Sequence, residues 1–212
     1  MPKFDRNLIP DAPDFRFESQ LWERGIAYVA GLDEAGRGCL AGPVVAAAVV
    51  FPSSPELAGS LAGVRDSKQM TARTRSTWAA RLPGLCVTCA IGQASPQEID
   101  EVGIAPATRL AMQRALDRLS LLPQHLLIDY MTLPACAIPQ TALVKGDARA
   151  LSIAAASILV KASRDEMMLH LDYEYPGYGF ADHKGYGTQA HRAAMECFGL
   201  TPIHRRSFRF HR

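Results

Sequence analysis

The feature of this chain that most constrains its fold is an almost unbroken run of valine and alanine at residues 43–51. Such a run is typical of a strand that is covered on both faces, because polar residues do not alternate along it. The longest apolar stretch, residues 41–51, is interrupted by Gly42 and Pro43, and it is much shorter than the roughly 20 residues that a membrane helix needs. We therefore predict a buried strand here and no membrane span.

Patterns on either side of this run predict the other elements. Four further β-rich segments lie at residues 26–32, 85–92, 125–128 and 141–144. Helical patterns or helix boundary signals occur at residues 17–24, 71–82, 96–101, 106–119, 148–171 and 188–198. Because a β-rich first half precedes alternating helices and strands, we expect an α/β fold. It would have a mixed central sheet flanked by helices and a helical C-terminal segment.

Length and composition favour one globular domain. The chain has 212 residues, of which 48% are hydrophobic and 21% charged, so it can bury a core without disulfides or a structural metal. We expect a flexible leader over residues 1–15 and a single domain over residues 16–212, acting as a monomer. Residues 181–212 hold six Lys or Arg and two acidic residues, which predicts a basic C-terminal segment from about residue 175.

The cysteines indicate a reducing compartment. The chain has five of them, an odd number, and no secretory leader precedes them, so we expect free thiols in the cytoplasm. Cys86 and Cys89 have the spacing of a redox or zinc pair. Because we place both in a strand, their odd separation predicts side chains on opposite faces. A thiol or zinc function is therefore a weak alternative.

Four carboxylates stand at the ends of predicted elements. Asp33 and Glu34 follow the first strand, Asp129 follows the strand at 125–128, and Asp147 precedes the long helix. Functional groups collect at the carboxyl ends of strands, so we expect Asp33 and Asp129 to lie close together. Clustered carboxylates need cations, and their hard oxygen atoms favour Mg²⁺ or Mn²⁺. The alternatives are ordinary turn acids and, for Asp147, a helix N-cap.

Six ordered segments resemble the ribonuclease HII family. The first is GLDEAGRGCLAG, which runs from Gly31 to Gly42. The others are DSK at 66–68, EIDE at 98–101, the strand end at 127–129 with VKGDARALSIAAASILVKASRD at 144–165, YGFADHKGYGT at 178–188 and HRRSF at 204–208. The resemblance covers about residues 26–210, and the order of the segments makes a chance match improbable.

The resemblance implies a ribonuclease H-like fold and an endoribonuclease. Such an enzyme hydrolyses the RNA strand of RNA/DNA hybrids and cleaves 5′ to ribonucleotides embedded in duplex DNA, leaving 5′-phosphate and 3′-hydroxyl ends. By the same resemblance, four acids would bind two Mg²⁺ or Mn²⁺ ions that act together on the phosphodiester. These acids are Asp33, Glu34, Asp129 and Asp147.

The resemblance also implies a substrate-binding set. Backbone groups of Gly36, Arg37 and Gly38 would meet the ribose 2′-hydroxyl, which distinguishes RNA from DNA. Tyr186 would pack on the sugar at the junction between ribonucleotide and deoxyribonucleotide. Three basic residues are candidates for phosphate contacts, which would make binding salt-dependent. They are Lys184, Arg205 and Arg206.

Departures from the family pattern occur directly after two of the site residues, and two other functions stay open. Tyr130 follows the third acid where the family usually has glycine, and Gly187 replaces the commoner proline after Tyr186. A non-catalytic nucleic-acid-binding module would explain the basic tail but not the four acids, which would repel phosphates without a metal. A nuclease of the same fold that acts on DNA junctions is the nearer alternative.

Overall fold

A computed structural model describes residues 4–5 and 9–209, and its centre is a five-stranded mixed sheet. The strands are β1 (Val29–Ala35), β2 (Val44–Val50), β3 (Thr88–Ala94), β4 (His125–Asp129) and β5 (Gln140–Leu143). Their order across the sheet is β3-β2-β1-β4-β5. β2 is antiparallel to β1 and β3, whereas β4 is parallel to β1 and β5. The predicted mixed sheet is confirmed.

Seven α-helices accompany the sheet in the described part of the chain. They are α1 (Arg16–Trp22), α2 (Ala72–Arg81), α3 (Pro96–Val102), α4 (Ile104–Asp117), α5 (Leu151–Glu174), α6 (Phe180–His183) and α7 (Gln189–Phe198). Short 3-10 turns lie at Ser67–Gln69 and Gly146–Ala148, among other places. Within the described residues, no helix is long and apolar enough to span a membrane.

Strand β2 is buried along its whole length, as its valine and alanine run predicts. Val45, Ala47 and Val49 pack in the cluster that contains the buried face of α5. The alternating residues of the strand pack with α4 on the opposite side of the sheet. Helices therefore cover both faces of the sheet, and the apolar run is the centre of the core.

Helix α5 approaches β1 so closely that a side chain does not fit between them. A Cβ atom at Gly31 would lie 2.2 Å from the backbone carbon of Ser152. Glycine at this position therefore lets the first turn of α5 rest directly on β1. The contact places the turn that carries Asp147, just before α5, beside the carboxyl end of β1.

The N-terminus of α5 is capped by a side chain from another helix. Ala150 at the N-cap provides no side-chain hydrogen bond. Instead, buried Glu18 of α1 accepts hydrogen bonds from the Ser152 backbone N–H at 2.9 Å and hydroxyl at 2.6 Å. Burial raises the pKa of Glu18 to about 7. Asp147 lies in the preceding 3-10 turn, so the alternative that it caps α5 is wrong.

The expected leader is too long at its C-terminal end. Asp14 forms a bridge with Ala150, and Phe15 is 5% exposed and contacts the rings of Trp22 and Phe51. The packed chain therefore begins before residue 16. Residues 1–3 and 6–8 of the expected leader lie outside the described residues.

Two strand boundaries differ from the sequence expectation. β1 continues through Ala35, because β2 pairs with it as far as the partners Ala35 and Val45. β3 starts only at Thr88, so Cys86 lies in the turn before it. The thiols of Cys86 and Cys89 meet in a side-chain hydrogen bond. The expectation that they occupy opposite faces of one strand is therefore wrong.

Candidate active site

The carboxylate cluster consists of Asp33, Glu34, Asp129 and Asp147, and sheet register brings its first members together. Leu32 of β1 pairs with Ile128 of the parallel neighbour β4. The next residues along the two strands are therefore Asp33 and Asp129, at the same sheet edge. Asp147 joins them from the turn before α5, where the Gly146 N–H donates to Asp129 Oδ1 at 2.7 Å. The predicted proximity of Asp33 and Asp129 is confirmed.

Burial and the neighbouring negative charges oppose ionisation of Asp33, Glu34 and Asp129. Asp33 and Asp147 are 6% and 2% exposed. Burial, followed by the charges of Glu34, Asp129 and Asp147, raises the pKa of Asp33 well above its usual range. Burial also raises the pKa of Glu34 against the opposing effect of Arg37, and burial together with Asp147 raises the pKa of Asp129. A bound cation would relieve this repulsion.

Each carboxylate of the cluster has one oxygen held by the protein. Asp33 Oδ1 accepts from the Glu34 N–H at 2.7 Å, and Asp129 Oδ1 accepts from Gly146. Arg37 Nη1 lies 3.3 Å from Glu34 Oε1. Lys68 Nζ lies 3.5 Å from Asp147 Oδ2. Within residues 4–5 and 9–209, the second oxygen of each carboxylate accepts no hydrogen bond. Two of these oxygen atoms, Glu34 Oε2 and Asp147 Oδ1, are also buried.

These four second oxygens fit a hard divalent cation. Buried acceptors without donors are costly, and carboxylate oxygens are the ligands that Mg²⁺ and Mn²⁺ prefer. No three His, Cys, Asp or Glu side chains in the described residues already form a metal-binding group. The donors are therefore suitable in kind, and their carboxylates would have to turn toward a common ion to bind it.

Lys68 is a site residue that the sequence analysis did not single out. Its ammonium group contacts Asp147 and is 75% exposed. Asp66 caps the short turn that carries it, because Asp66 Oδ1 accepts from the Lys68 N–H at 2.9 Å. The feature of the sequence that could have identified Lys68 is the DSK segment at residues 66–68, which matches the family pattern. Lys68 therefore offers a mobile positive charge at the edge of the carboxylate cluster.

The GRG segment consists of Gly36, Arg37 and Gly38, and its two glycines differ in their surroundings. Gly36 has φ +91°, and a Cβ there would lie 2.1 Å from Arg164 Nε. A Cβ at Gly38 would meet nothing within 4 Å. Gly38 faces a cleft of about 290 Å³, whose lining includes Asp33, Lys68 and Tyr186. Gly36 is therefore required by the protein interior, whereas Gly38 faces open space beside the carboxylates.

Tyr186 also lines this cleft, with a 44% exposed side chain and a firmly held backbone. Its carbonyl accepts from His191 Nδ1 at 2.9 Å. His204 Nδ1 accepts from the Thr201 N–H, so its Nε2 carries the proton and donates to His191 Nε2 at 3.1 Å. Burial lowers the pKa of His191 to about 4, which keeps this chain of histidines neutral.

The basic candidates occupy three different environments. Arg205 is 1% exposed and donates to the carbonyls of Gly42 and Arg37, so the expectation that it contacts phosphate is wrong. Arg206 is exposed. Lys184 is half-buried, its ammonium bonds the Ala181 carbonyl, and it lines a separate groove of about 600 Å³ between α2 and α5. Phosphate contacts by Lys184 and Arg206 stay predictions.

Tyr130 keeps the backbone that a glycine would have at its position. Its φ is +61°, in the left-handed region, and its side chain is 69% exposed. Its N–H donates to the Leu143 carbonyl at 3.0 Å, which holds the turn after Asp129. The departure from the family pattern therefore leaves the turn intact and adds backbone strain.

Comparison with known proteins supports the same family. The family model for ribonuclease HII matches residues 30–211. The ribonuclease HII of Dehalococcoides mccartyi is 48% identical over 197 residues, which cover 92% of each chain. Ribonuclease H2 from Pyrococcus horikoshii is 27% identical with a TM-score of 0.70, over 85% of this chain and 93% of that one.

A more distant solved structure bears on the fold alone. It is Bst-RNase HIII in complex with Mn²⁺, which is 21% identical with a TM-score of 0.63. The match covers 86% of this chain and 67% of that chain. The arrangement of sheet and helices is therefore similar even at low sequence identity.

Proposed function

The chain belongs to the ribonuclease HII family, and on that premise we propose that the carboxylate cluster is its catalytic centre. The protein is a metal-dependent endonuclease that hydrolyses the RNA strand of RNA/DNA hybrids and cleaves at ribonucleotides embedded in duplex DNA. The assignment rests on a hydrogen-bonding pattern that is common to the four carboxylates. One oxygen of each is held by the protein, and the other has no donor among the described residues.

We assign Mg²⁺ or Mn²⁺ to these oxygen atoms. Bound divalent ions supply Lewis-acid chemistry, which activates a water and stabilises the leaving oxygen of a phosphodiester. The protein groups around the cluster orient its ligands: the N–H groups of Glu34 and Gly146 fix one oxygen of Asp33 and Asp129. Cleavage on the 5′ side of the ribonucleotide would leave 5′-phosphate and 3′-hydroxyl ends.

The cationic side chains at the cluster have separate tasks. Arg37 holds Glu34 Oε1 and so leaves Oε2 free. Lys68 is exposed on its flexible stem, so it can turn from Asp147 to a phosphate as the duplex arrives. Neither cation is enough to neutralise four carboxylates, so bound divalent ions would reduce the repulsion between the cluster and the phosphate that is to be cleaved.

Recognition of the ribonucleotide involves the open side of the GRG segment and Tyr186. The carbonyl of Arg37 points to Arg205, and we assign the N–H donors of Arg37 and Gly38 to the 2′-hydroxyl. No acceptor for these two donors is present in the part of the chain that the structure describes. Tyr186 then provides a half-exposed ring for the sugar, and Lys184 and Arg206 are the candidate phosphate contacts.

We also propose a cytoplasmic monomer with one catalytic domain. All five cysteines are free, as expected in a reducing compartment. The packed domain begins near Pro13, because Phe15 already belongs to the core. Sedimentation of the purified protein at assay concentrations tests the monomer, and a second species of twice the mass would contradict it.

The experiment that tests the catalytic centre is the substitution Asp33→Asn. It removes one negative charge, changes volume little and leaves an oxygen that can accept from the Glu34 N–H. We expect cleavage of a duplex with one ribonucleotide to fall by at least about 1,000-fold and Mn²⁺ affinity, measured by calorimetry, to fall with it. Duplex binding should persist.

A matched control is Asp117→Asn on the exposed end of α4, where the carboxylate accepts a hydrogen bond from the Gln113 side chain. This variant loses the same charge far from the cluster, and its activity and Mn²⁺ affinity should equal those of the unmodified protein. Near-normal cleavage by Asp33→Asn would contradict the assignment of the catalytic centre.

A further inference from the structure

Two buried arginines lie beneath the loop of residues 36–43, which contains the GRG segment. Arg164 comes from the middle of α5 and Arg205 from the C-terminal segment, and each is 1% exposed. Neither takes part in an ion pair with a carboxylate within the described residues. Both guanidinium groups are therefore buried without a carboxylate in direct contact, as far as residues 4–5 and 9–209 show.

Arg164 binds backbone carbonyls of two separate segments, the loop of residues 36–43 and the chain just before Tyr186. It donates from Nε to Pro43 at 3.1 Å and from Nη2 to Ala41 at 3.1 Å. Its Nη1 donates to the Lys184 carbonyl at 2.9 Å, two residues before Tyr186. One rigid guanidinium thus connects the GRG loop with the segment that carries the tyrosine.

Arg205 binds the same loop from its other end. Its Nε and Nη2 donate to the Gly42 carbonyl at 3.0 and 2.8 Å, and its Nη1 donates to the Arg37 carbonyl at 3.0 Å. Its own N–H donates to the Leu40 carbonyl. These three carbonyls therefore point toward the interior, whereas the N–H groups of Arg37 and Gly38 are available to the cleft.

This arrangement is costly as a purely structural device. Burying an ion costs several kcal/mol even after relaxation, and neutral groups of similar volume often replace buried charges without loss of stability. Carbonyl dipoles offset only part of the cost, because burial still lowers the pKa of Arg205 to about 10. The core itself does not require these two charges. A fixed positive charge near the cleft would instead attract the phosphodiester of a bound substrate.

We propose that Arg164 and Arg205 are positioning residues for ribonucleotide recognition. They hold the loop with its free N–H donors toward the 2′-hydroxyl, and their charges attract the adjacent phosphate through the loop. The inference rests on the proposed function, because it assumes that the cleft receives a ribonucleotide. It also assigns Arg205 a task that differs from the direct phosphate contact expected from the sequence.

The test compares Arg164→Lys and Arg205→Lys with Arg114→Lys. Each lysine keeps the charge and loses the planar fork. Arg114 is a matched control, because it also makes three hydrogen bonds, to the Gln93 carbonyl and the Glu98 carboxylate, away from the cleft. Binding of a DNA duplex with one ribonucleotide and of the all-DNA duplex is measured by anisotropy in chelator, and KM and kcat are measured with Mn²⁺.

We expect Arg164→Lys and Arg205→Lys to reduce the preference for the ribonucleotide duplex by about tenfold. KM should rise more than kcat falls, and Mn²⁺ affinity should not change. Arg114→Lys should lose stability and keep the preference. Urea unfolding of all three variants shows which of them are folded under the assay conditions. If only one of Arg164→Lys and Arg205→Lys folds, that variant alone is sufficient for the test.

Two outcomes separate this inference from the proposed function. If the unmodified protein with Mn²⁺ cleaves neither duplex, or cleaves both equally, the proposed function itself fails. If the unmodified protein distinguishes them and the lysine variants of Arg164 and Arg205 do so equally well, only the positioning role is overturned. An equal loss of preference in Arg114→Lys would also overturn it, because loss of stability alone would then explain the effect.

Discussion

The GRG segment allows a sharp prediction, because its two glycines should respond to the same substitution in opposite ways. Gly36→Ala introduces a Cβ at φ +91° and 2.1 Å from Arg164 Nε. A non-glycine residue in left-handed backbone costs about 1–2 kcal/mol. The guanidinium must also move, and a hydrogen bond from a charged donor contributes about 1.5–3 kcal/mol. Losing one of the three bonds of Arg164 therefore gives a total of about 2.5–5 kcal/mol.

Gly38→Ala meets no atom within 4 Å and needs no left-handed backbone. Its free energy of unfolding should stay within about 0.5 kcal/mol of the unmodified protein. The added methyl group would instead occupy the face of the loop that meets the sugar. KM for a duplex with one ribonucleotide should therefore rise by about tenfold or more, while Mn²⁺ affinity stays unchanged.

Urea unfolding followed by circular dichroism measures the first effect, and steady-state cleavage measures the second. At a typical slope of about 2 kcal/mol per molar urea, Gly36→Ala should lower the midpoint by more than about 1 M. An unchanged midpoint for Gly36→Ala would refute the claim that Arg164 is packed against this glycine. Strong destabilisation by Gly38→Ala would refute the claim that its surroundings are open.

Three further predictions concern single residues. The pKa of Glu18 is raised to about 7 from its ordinary value of 4.5, so its contribution to stability is complete below pH 4.5 and is lost as the pH rises through 7. The stability of Glu18→Gln relative to the unmodified protein should therefore increase by about 3 kcal/mol from pH 4 to pH 8 in urea unfolding, and a difference independent of pH would contradict this. Tyr130→Gly should raise the free energy of unfolding by up to about 1 kcal/mol by removing left-handed strain, whereas Tyr173→Gly, at an exposed position of α5, should lower it; a loss of stability in both would show that Tyr130 is not strained. Tyr186→Ala should reduce cleavage at a single ribonucleotide by about tenfold or more without changing Mn²⁺ affinity, and a parallel fall in both would indicate a structural role for the ring.

The sequence was sufficient for the parts of the fold that depend on local pattern and strand ends. The valine and alanine run predicts β2 because a central strand that is buried on both faces has apolar residues at consecutive positions. Asp33 and Asp129 could be placed together because parallel neighbouring strands end at one sheet edge. Boundaries were less predictable, since the end of β1 depends on how far β2 continues to pair with it.

The buried polar contacts could not be predicted, because their partners are far apart in the chain. Arg205 lies in a basic segment that resembles a nucleic-acid-binding tail, yet its acceptors are carbonyls of Arg37 and Gly42 more than 160 residues away. Glu18 likewise caps α5 from a position 134 residues before Ser152. Nothing in the local sequence indicates which backbone groups a long side chain will reach.

The central claim is tested most directly by cleavage of a labelled DNA duplex that contains one ribonucleotide, beside the same duplex made entirely of DNA. Each is incubated with Mg²⁺, with Mn²⁺ and with chelator. We predict a cut on the 5′ side of the ribonucleotide only when a divalent ion is present, and no cut in the all-DNA duplex. Equal cleavage of both duplexes, or no cleavage by folded protein with either ion, would contradict the account.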